Sequence, residues 1–172
     1  NEKPKPIPAP DLSLWPDLGQ NVSDQGRKVN LDTLTKEDIA SWEIGETLLL
    51  SGTMLTGRDA AHKRIEQMLA NGEELPVDFN GKFIYYVGPV DPVRDEVVGP
   101  AGPTTSTRMD KFTDMMLGQT GLMGMIGKAE RGPEACASIA AHKSVYLIAV
   151  GGAAYLVAQA IKASKVVGFD DL

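Results

Sequence analysis

One cysteine, two histidines and a shortage of basic side chains are the first constraints on this 172-residue sequence. A lone thiol, Cys136, excludes an internal disulfide and cannot by itself hold a zinc ion or an iron–sulfur cluster, which take about four ligands. Any such group has to be held elsewhere. The 17 Lys and Arg against 23 Asp and Glu leave a net charge of −6, without the clustered cationic footprint that phosphate neutralisation needs, so nucleic acid is not an expected partner. No apolar run approaches the roughly 20 residues of a bilayer crossing, and the N-terminus lacks the charged-then-apolar order of a secretory signal. A membrane is therefore not expected either, and a cytoplasmic, reducing compartment is the simplest reading.

With 42% hydrophobic and 23% charged residues, the chain has enough apolar content for one domain with its own core. Its first stretch, Lys3-Pro4-Lys5-Pro6-Ile7-Pro8-Ala9-Pro10, favours extended polyproline geometry. Residues 1–24 are read as an interdomain linker, 25–172 as the domain, and the whole as part of a longer polypeptide whose last element is missing after Leu172. No other low-complexity segment and no internal repeat is present.

Strands are expected at Arg27–Leu31 and at Glu46–Ser51, the latter buried, with a short helix opened between them by the hydroxyl and acids of Thr35-Lys36-Glu37-Asp38. After a polar turn, the spacing predicts a helix from about Gly57, with Ala61, Ile65, Met68 and Leu69 inward, His62 largely outside that face, and Asn71-Gly72 as its stop. Phe83–Val87 reads as a strand. The Gly and Pro density of residues 88–103 forbids regular structure and marks a shaped loop of the kind that often carries function. Thr104 or Thr105 can cap a helix running to about Leu117, with Met109, Phe112 and Met116 inward. The remainder alternates: strand Leu122–Ile126, helix Pro133–His142, strand Val145–Val150, helix Ala153–Ala163, strand Val166–Phe169. Such alternation implies an α/β fold with a layered sheet.

Four hydroxyls and an arginine crowd Gly99-Pro100-Ala101-Gly102-Pro103-Thr104-Thr105-Ser106-Thr107-Arg108, where a glycine-rich loop turns into a helix. Free amide N–H groups and the helix dipole favour an anion there, Thr104 and Thr105 can donate to it, and Arg108 can grip a carboxylate in bidentate fashion. Gly52-Thr53-Met54-Leu55-Thr56-Gly57-Arg58-Asp59 repeats the form, and two such junctions suggest a dicarboxylate held at both ends. The blander reading is equally open on the residues alone: ordinary helix starts, with each arginine solvated or paired to Asp59 or Asp110. Lys128 follows an apolar strand and Gly127, at the strand end where open α/β sheets bind ligands, although simple exposure explains a lysine there too. His62 and His142 do not support a metal pair, Cys136 reads as a small core residue, and no glycine pattern matches a nucleotide-binding loop.

Taken together, S-G-T-M-L-T-G-R-D-A-A-H, F-I-Y-Y-V-G-P-V, G-P-T-T-S-T-R-M-D and G-M-I-G-K resemble the C-terminal domain of class I iron–sulfur fumarate hydratases over nearly all of residues 25–172. The same blocks occur in the smaller subunit of the related L-tartrate dehydratase. The resemblance implies a swivelling β/β/α domain with a mixed sheet and flanking helices, which closes on a separate N-terminal domain. That domain carries a [4Fe–4S] cluster, one iron of which acts as a Lewis acid toward the substrate; no cofactor or metal is expected on this chain. It also implies a hydro-lyase of the tricarboxylic acid cycle interconverting fumarate and (S)-malate, homodimeric when complete, and inactive as this part alone. Arg58, Arg108 and Lys128 would orient and neutralise the dicarboxylate, Thr105 would add a donor, and Thr104 would bind substrate and remove the proton from carbon 3 of malate. A tartrate dehydratase or related hydro-lyase, acting on tartrate or a methylated fumarate, and a dicarboxylate-binding or assembly module without catalysis, are the alternatives.

Overall fold

Alternate residues of the aromatic run at Phe83–Val87 face opposite ways, and this alternation organises the molecule into layers. The computed structural model describes residues 26–88, 90–92 and 96–172, so the stretch read as a linker lies outside the described residues. Strands β1 (Arg27–Asn30) and β2 (Leu48–Ser51) pair in parallel as one small sheet. A second sheet has the order β3 (Leu55–Thr56), β4 (Phe83–Tyr85), β5 (Gly124–Gly127), β6 (Val145–Ile148), again parallel throughout. Parallel neighbours need crossover connections, and these are supplied by α2 (Asp59–Asn71), by a 3-10 helix (Ser106–Phe112) running into α3 (Thr113–Thr120), and by α4 (Pro133–Ala141). Helices α1 (Lys36–Ala40) and α5 (Ala154–Ala160) complete the described elements.

Phe83, Tyr85 and Val87 point with Ile126 toward Val29, Leu31, Ile39 and Ala158, so one face of the larger sheet packs on the small sheet, α1 and α5. Ile84, Tyr86 and Met125 point the other way, onto Ile65, Met109, Phe112, Met116 and Leu117 of the helical layer. The order sheet, sheet, helices is the β/β/α layering expected from the family resemblance. Burial on both faces explains the near-continuous apolar runs of β4 and β5.

Local signals are read as they were written. Thr35 and Asp38 form a reciprocal capping box at α1, and Gly72 closes α2 at φ 69°, a left-handed conformation that glycine takes without steric cost. Several expectations are corrected. All pairings among the described residues are parallel, so the sheet is not mixed. β2 is half-buried rather than buried, because only one side of it meets the core. The polar turn after Gly52 contains β3, a strand of two residues. The helix at Thr104–Leu117 is instead a 3-10 segment from Ser106 with no side-chain cap, followed by α3, although Met109, Phe112 and Met116 are inward as expected. His62 is buried on the α2 face with Ile65, and Cys136 is exposed, since Ala135 takes the inward position of α4. Val166–Phe169 is not a strand: Phe169 lies under the Arg64 guanidinium at 5.2 Å while Arg64 pairs with Asp171, so this segment packs on α2 as coil.

Candidate functional site

Because β3, β4 and β5 run parallel, the residues that leave their C-terminal ends gather at one edge of the sheet, where open α/β sheets bind ligands. Arg58 leaves β3 and is the N-cap of α2, with extended backbone and no side-chain cap bond. Its guanidinium lies across Gly88, just beyond β4: a Cβ built on Gly88 would stand 2.6 Å from Arg58 Cζ. Only a residue without a side chain leaves that space.

The loop that departs after β4 returns to the same edge. Thr104 N–H donates to Tyr86 O at 2.7 Å, Lys128 N–H donates to Thr104 O at 3.2 Å, and Ser106 N–H donates to Lys128 O at 3.0 Å. Thr105 and Lys128 form a parallel bridge. Residues 104–106 thus wedge between the ends of β4 and β5, held there by these main-chain bonds and by the Ser106 hydroxyl, which lies 2.8 Å from the Tyr146 hydroxyl. The Thr104 and Thr105 hydroxyls and the Lys128 ammonium make no hydrogen bond among the described residues. Thr104 and Thr105 are half-buried and Arg58, Arg108 and Lys128 exposed.

Arg108, on the 3-10 helix, ion-pairs with Asp59, the residue after Arg58. Partial burial pushes the Asp59 carboxyl up, but the Arg108 hydrogen bond and both neighbouring guanidiniums outweigh it and hold the group below its ordinary range. Arg108 is therefore tied to the residue that follows Arg58, and all five sequence-predicted residues lie at one edge of the sheet. Two clefts of about 600 and 460 Å³ lie elsewhere and are lined by none of the five.

Behind this edge is a buried polar layer that sequence reasoning did not single out. The Arg131 side chain, 1% exposed, donates to Asp110 Oδ1 at 2.6 Å and to Thr113 Oγ1 at 2.5 Å. Asp110 Oδ2 accepts Gly132 N–H at 2.7 Å, so Asp110 serves Arg131 and not Arg108. The guanidinium lies 5.7 Å from the Tyr86 ring centroid and 5.0 Å from that of Tyr146. His62 places Nδ1 2.7 Å from Arg58 O, which fixes the proton on Nδ1, because a carbonyl can only accept. Burial pulls the His62 pKa down, and Nε2 is left without a partner. Burial likewise pushes the Tyr86 phenol up to about 12 and raises that of Tyr146, so both keep their protons near neutrality.

The family model for the fumarase C-terminus matches residues 2–172. The chain belongs to that family. This fumarase C-terminal chain is 34% identical over 149 residues to the aerobic class I fumarate hydratase of Escherichia coli K12, covering 84% of the chain and 27% of that enzyme. It is 37% identical over 131 residues to a putative L(+)-tartrate dehydratase subunit beta of Methanocaldococcus jannaschii, covering 75% of the chain and 67% of that subunit. A third relative, fumarate hydratase 2 of Leishmania major, is 32% identical over 138 residues, which is 80% of the chain and 24% of that protein. The chain thus spans about a quarter of the length of the fumarate hydratases it matches.

Class I fumarate hydratases are generally iron–sulfur enzymes. The residues of this fumarase C-terminal chain do not fit such a cluster: the single thiol is exposed and bonded weakly to Arg131 O at 3.7 Å, and among the described residues no three His, Cys, Asp or Glu are grouped to hold a metal. No helix among the described residues is long and apolar enough to cross a membrane.

Proposed function

We propose that this chain is the substrate-binding and proton-abstracting half of a [4Fe–4S]-dependent hydro-lyase interconverting fumarate and (S)-malate. The cluster is carried by a domain outside this chain, which residues 1–24 link to residues 25–172. The observation that carries the reading is the convergence of Arg58, Thr104, Thr105, Arg108 and Lys128 on one sheet edge, with three cations beside two unengaged hydroxyls.

The chemistry follows from those groups. A four-carbon dicarboxylate carries two negative charges, and Arg58, Arg108 and Lys128 neutralise and orient them, with Thr105 donating a further hydrogen bond. In the dehydration direction the carbon 3 proton passes to the Thr104 oxygen while the carbon 2 hydroxyl departs with a proton from an acid outside this chain. A threonine hydroxyl is a very weak base, and the neighbouring cations are what stabilise its alkoxide and the charge developing on the substrate carboxylate. The edge is open, so exclusion of water requires closure by the other domain, and this chain alone is expected to be inactive. The complete enzyme is proposed to be a cytoplasmic homodimer, as in the class I fumarases it resembles.

Anaerobic mixing of this chain with the separately purified cluster-bearing domain, following fumarate loss by ultraviolet absorbance, tests the reading. Activity in the mixture and in neither part is the expected result. A covalently joined protein with an intact cluster and no turnover of fumarate or malate would sink it. A second reading, a tartrate or related hydro-lyase, is favoured by the 37% identity to the tartrate dehydratase relative. Relative rates on fumarate, malate and tartrate separate the two, because the extra hydroxyl of tartrate needs a partner in the site.

A further inference from the structure

Ala129 follows Lys128 directly and holds φ 64°, a left-handed conformation in a residue that carries a Cβ. Its carbonyl oxygen lies 2.8 Å from the Tyr146 hydroxyl. The same hydroxyl lies 2.8 Å from Ser106 Oγ. A phenol has one proton, and the Ala129 carbonyl can only accept it, so Ser106 donates to Tyr146 and Tyr146 donates to Ala129. Ser106 is 0% exposed, and a Cβ on Gly127 would stand 2.0 Å from its Oγ. The Ser106 hydroxyl therefore occupies room that exists only because residue 127 is glycine. One oxygen of β6 thus ties the turn behind Lys128 to the segment that presents Thr104, Thr105 and Arg108.

We propose that Tyr146 is a positioning residue, whose hydroxyl holds Ala129 in its left-handed turn through the Ser106–Tyr146–Ala129 chain and thereby sets where Lys128 projects beside Thr104 and Thr105. An alanine in this region is disfavoured, and without the bond the turn relaxes and carries Lys128 with it. Arg131 lies against the Tyr146 ring at 5.0 Å, so the ring stays seated when only the oxygen is removed. The kinetic consequence rests on the function proposed above; the structural one does not.

The test uses Tyr146→Phe in the complete protein, read in two ways. Amide exchange of a peptide covering residues 127–132 is expected to quicken about five- to tenfold, the scale of one lost hydrogen bond, with the helical layer unchanged. In steady state, KM for malate is expected to rise about tenfold with kcat within about threefold, since a displaced Lys128 weakens substrate binding, whereas a partly unfolded enzyme would lower kcat at constant KM. Adding Ala129→Gly, which occupies the left-handed region without steric cost, is expected to recover at least half of the exchange and KM changes. Unchanged exchange at 127–132, or changes that Ala129→Gly leaves untouched, overturns the proposal. A wild-type protein inert toward malate would instead count against the function, and the exchange arm would still decide the role of Tyr146.

Discussion

Arg131 Nε meets Asp110 Oδ1 at 2.6 Å from a side chain that is 1% exposed, so a full charge sits between the helical layer and the candidate site with one carboxylate to balance it. Asp110→Ala leaves that guanidinium buried and uncompensated, and a loss of about 3–5 kcal/mol in urea unfolding is expected. Replacing both, Asp110→Leu with Arg131→Met, removes the orphaned charge and is expected to be less destabilised than the single variant. A double variant less stable than Asp110→Ala alone would show that the cost lies in packing and not in the charge.

Gly88 and Arg58 give a substitution that separates fold from binding. The atom that a new Cβ would strike is the end of a flexible side chain, so Gly88→Ala is expected to leave the unfolding midpoint nearly unchanged and to displace the guanidinium. In the complete enzyme KM for malate should rise by about tenfold. A normal KM would mean that Arg58 does not hold the substrate from this position.

Arg108→Ala should cut turnover of the complete enzyme by about 10²–10³ while the circular dichroism spectrum stays as in wild type. Asp59→Asn keeps the hydrogen-bonding shape but weakens the hold on Arg108, and an intermediate loss is expected. Equal activity for wild type and Arg108→Ala would remove the arginine from the mechanism.

His62 sets an acid limit. Its pKa is lowered by burial from 6.5, so the unfolded chain takes up the proton first as pH falls. Stability is therefore unaffected above that value and declines as pH drops below 6.5 toward the depressed folded value. Urea midpoints from about pH 7.5 to about pH 5.5 should fall in wild type more than in His62→Asn, which retains a donor for Arg58 O. Parallel curves would show that His62 does not titrate with unfolding.

Tyr85 and Tyr86 set an alkaline limit. Burial raises both phenols from 10.0 to about 12, so the unfolded state ionises first. Stability present below pH 10 is lost progressively between those two values as pH rises. Phenolate absorbance should show these tyrosines titrating with the unfolding transition and not before it. In Tyr85→Phe, which also loses the bond to Ala101 O at 2.8 Å, a cost of about 1 kcal/mol is expected at neutral pH.

The elements legible in the sequence were those whose signals are local. The Thr35–Asp38 capping box, the Gly72 stop and the aromatic run of β4 each carry their reason within a few residues. What was not legible depends on partners distant in the chain. Leu55–Thr56 becomes a strand only because Ile84 and Tyr85 lie beside it, whereas Val166–Phe169 has strand-forming residues but packs on α2 through Phe169 and Asp171. His62 shares a helical face with Ile65, yet its polarity disguises an inward position. Hydroxyls and arginines at two loop-to-helix junctions and a lysine after a strand marked the five candidate residues singly, and the family resemblance joined them into one site. Their buried support, Arg131 with Asp110 and Tyr146 with Ser106, spans separations of 21 and 40 residues, and no pattern along the chain announces it.

At Thr104 the main chain and the side chain do separate work: the amide and carbonyl lace β4 to Lys128, and the hydroxyl takes no part in that lacing. Fold and the reactivity proposed for Thr104 thus fall on different atoms of one residue. Under the proposed function, drift at this position would extinguish the chemistry while leaving the architecture whole, so a lineage of this domain could abandon catalysis and remain a stable carrier of the same cationic edge.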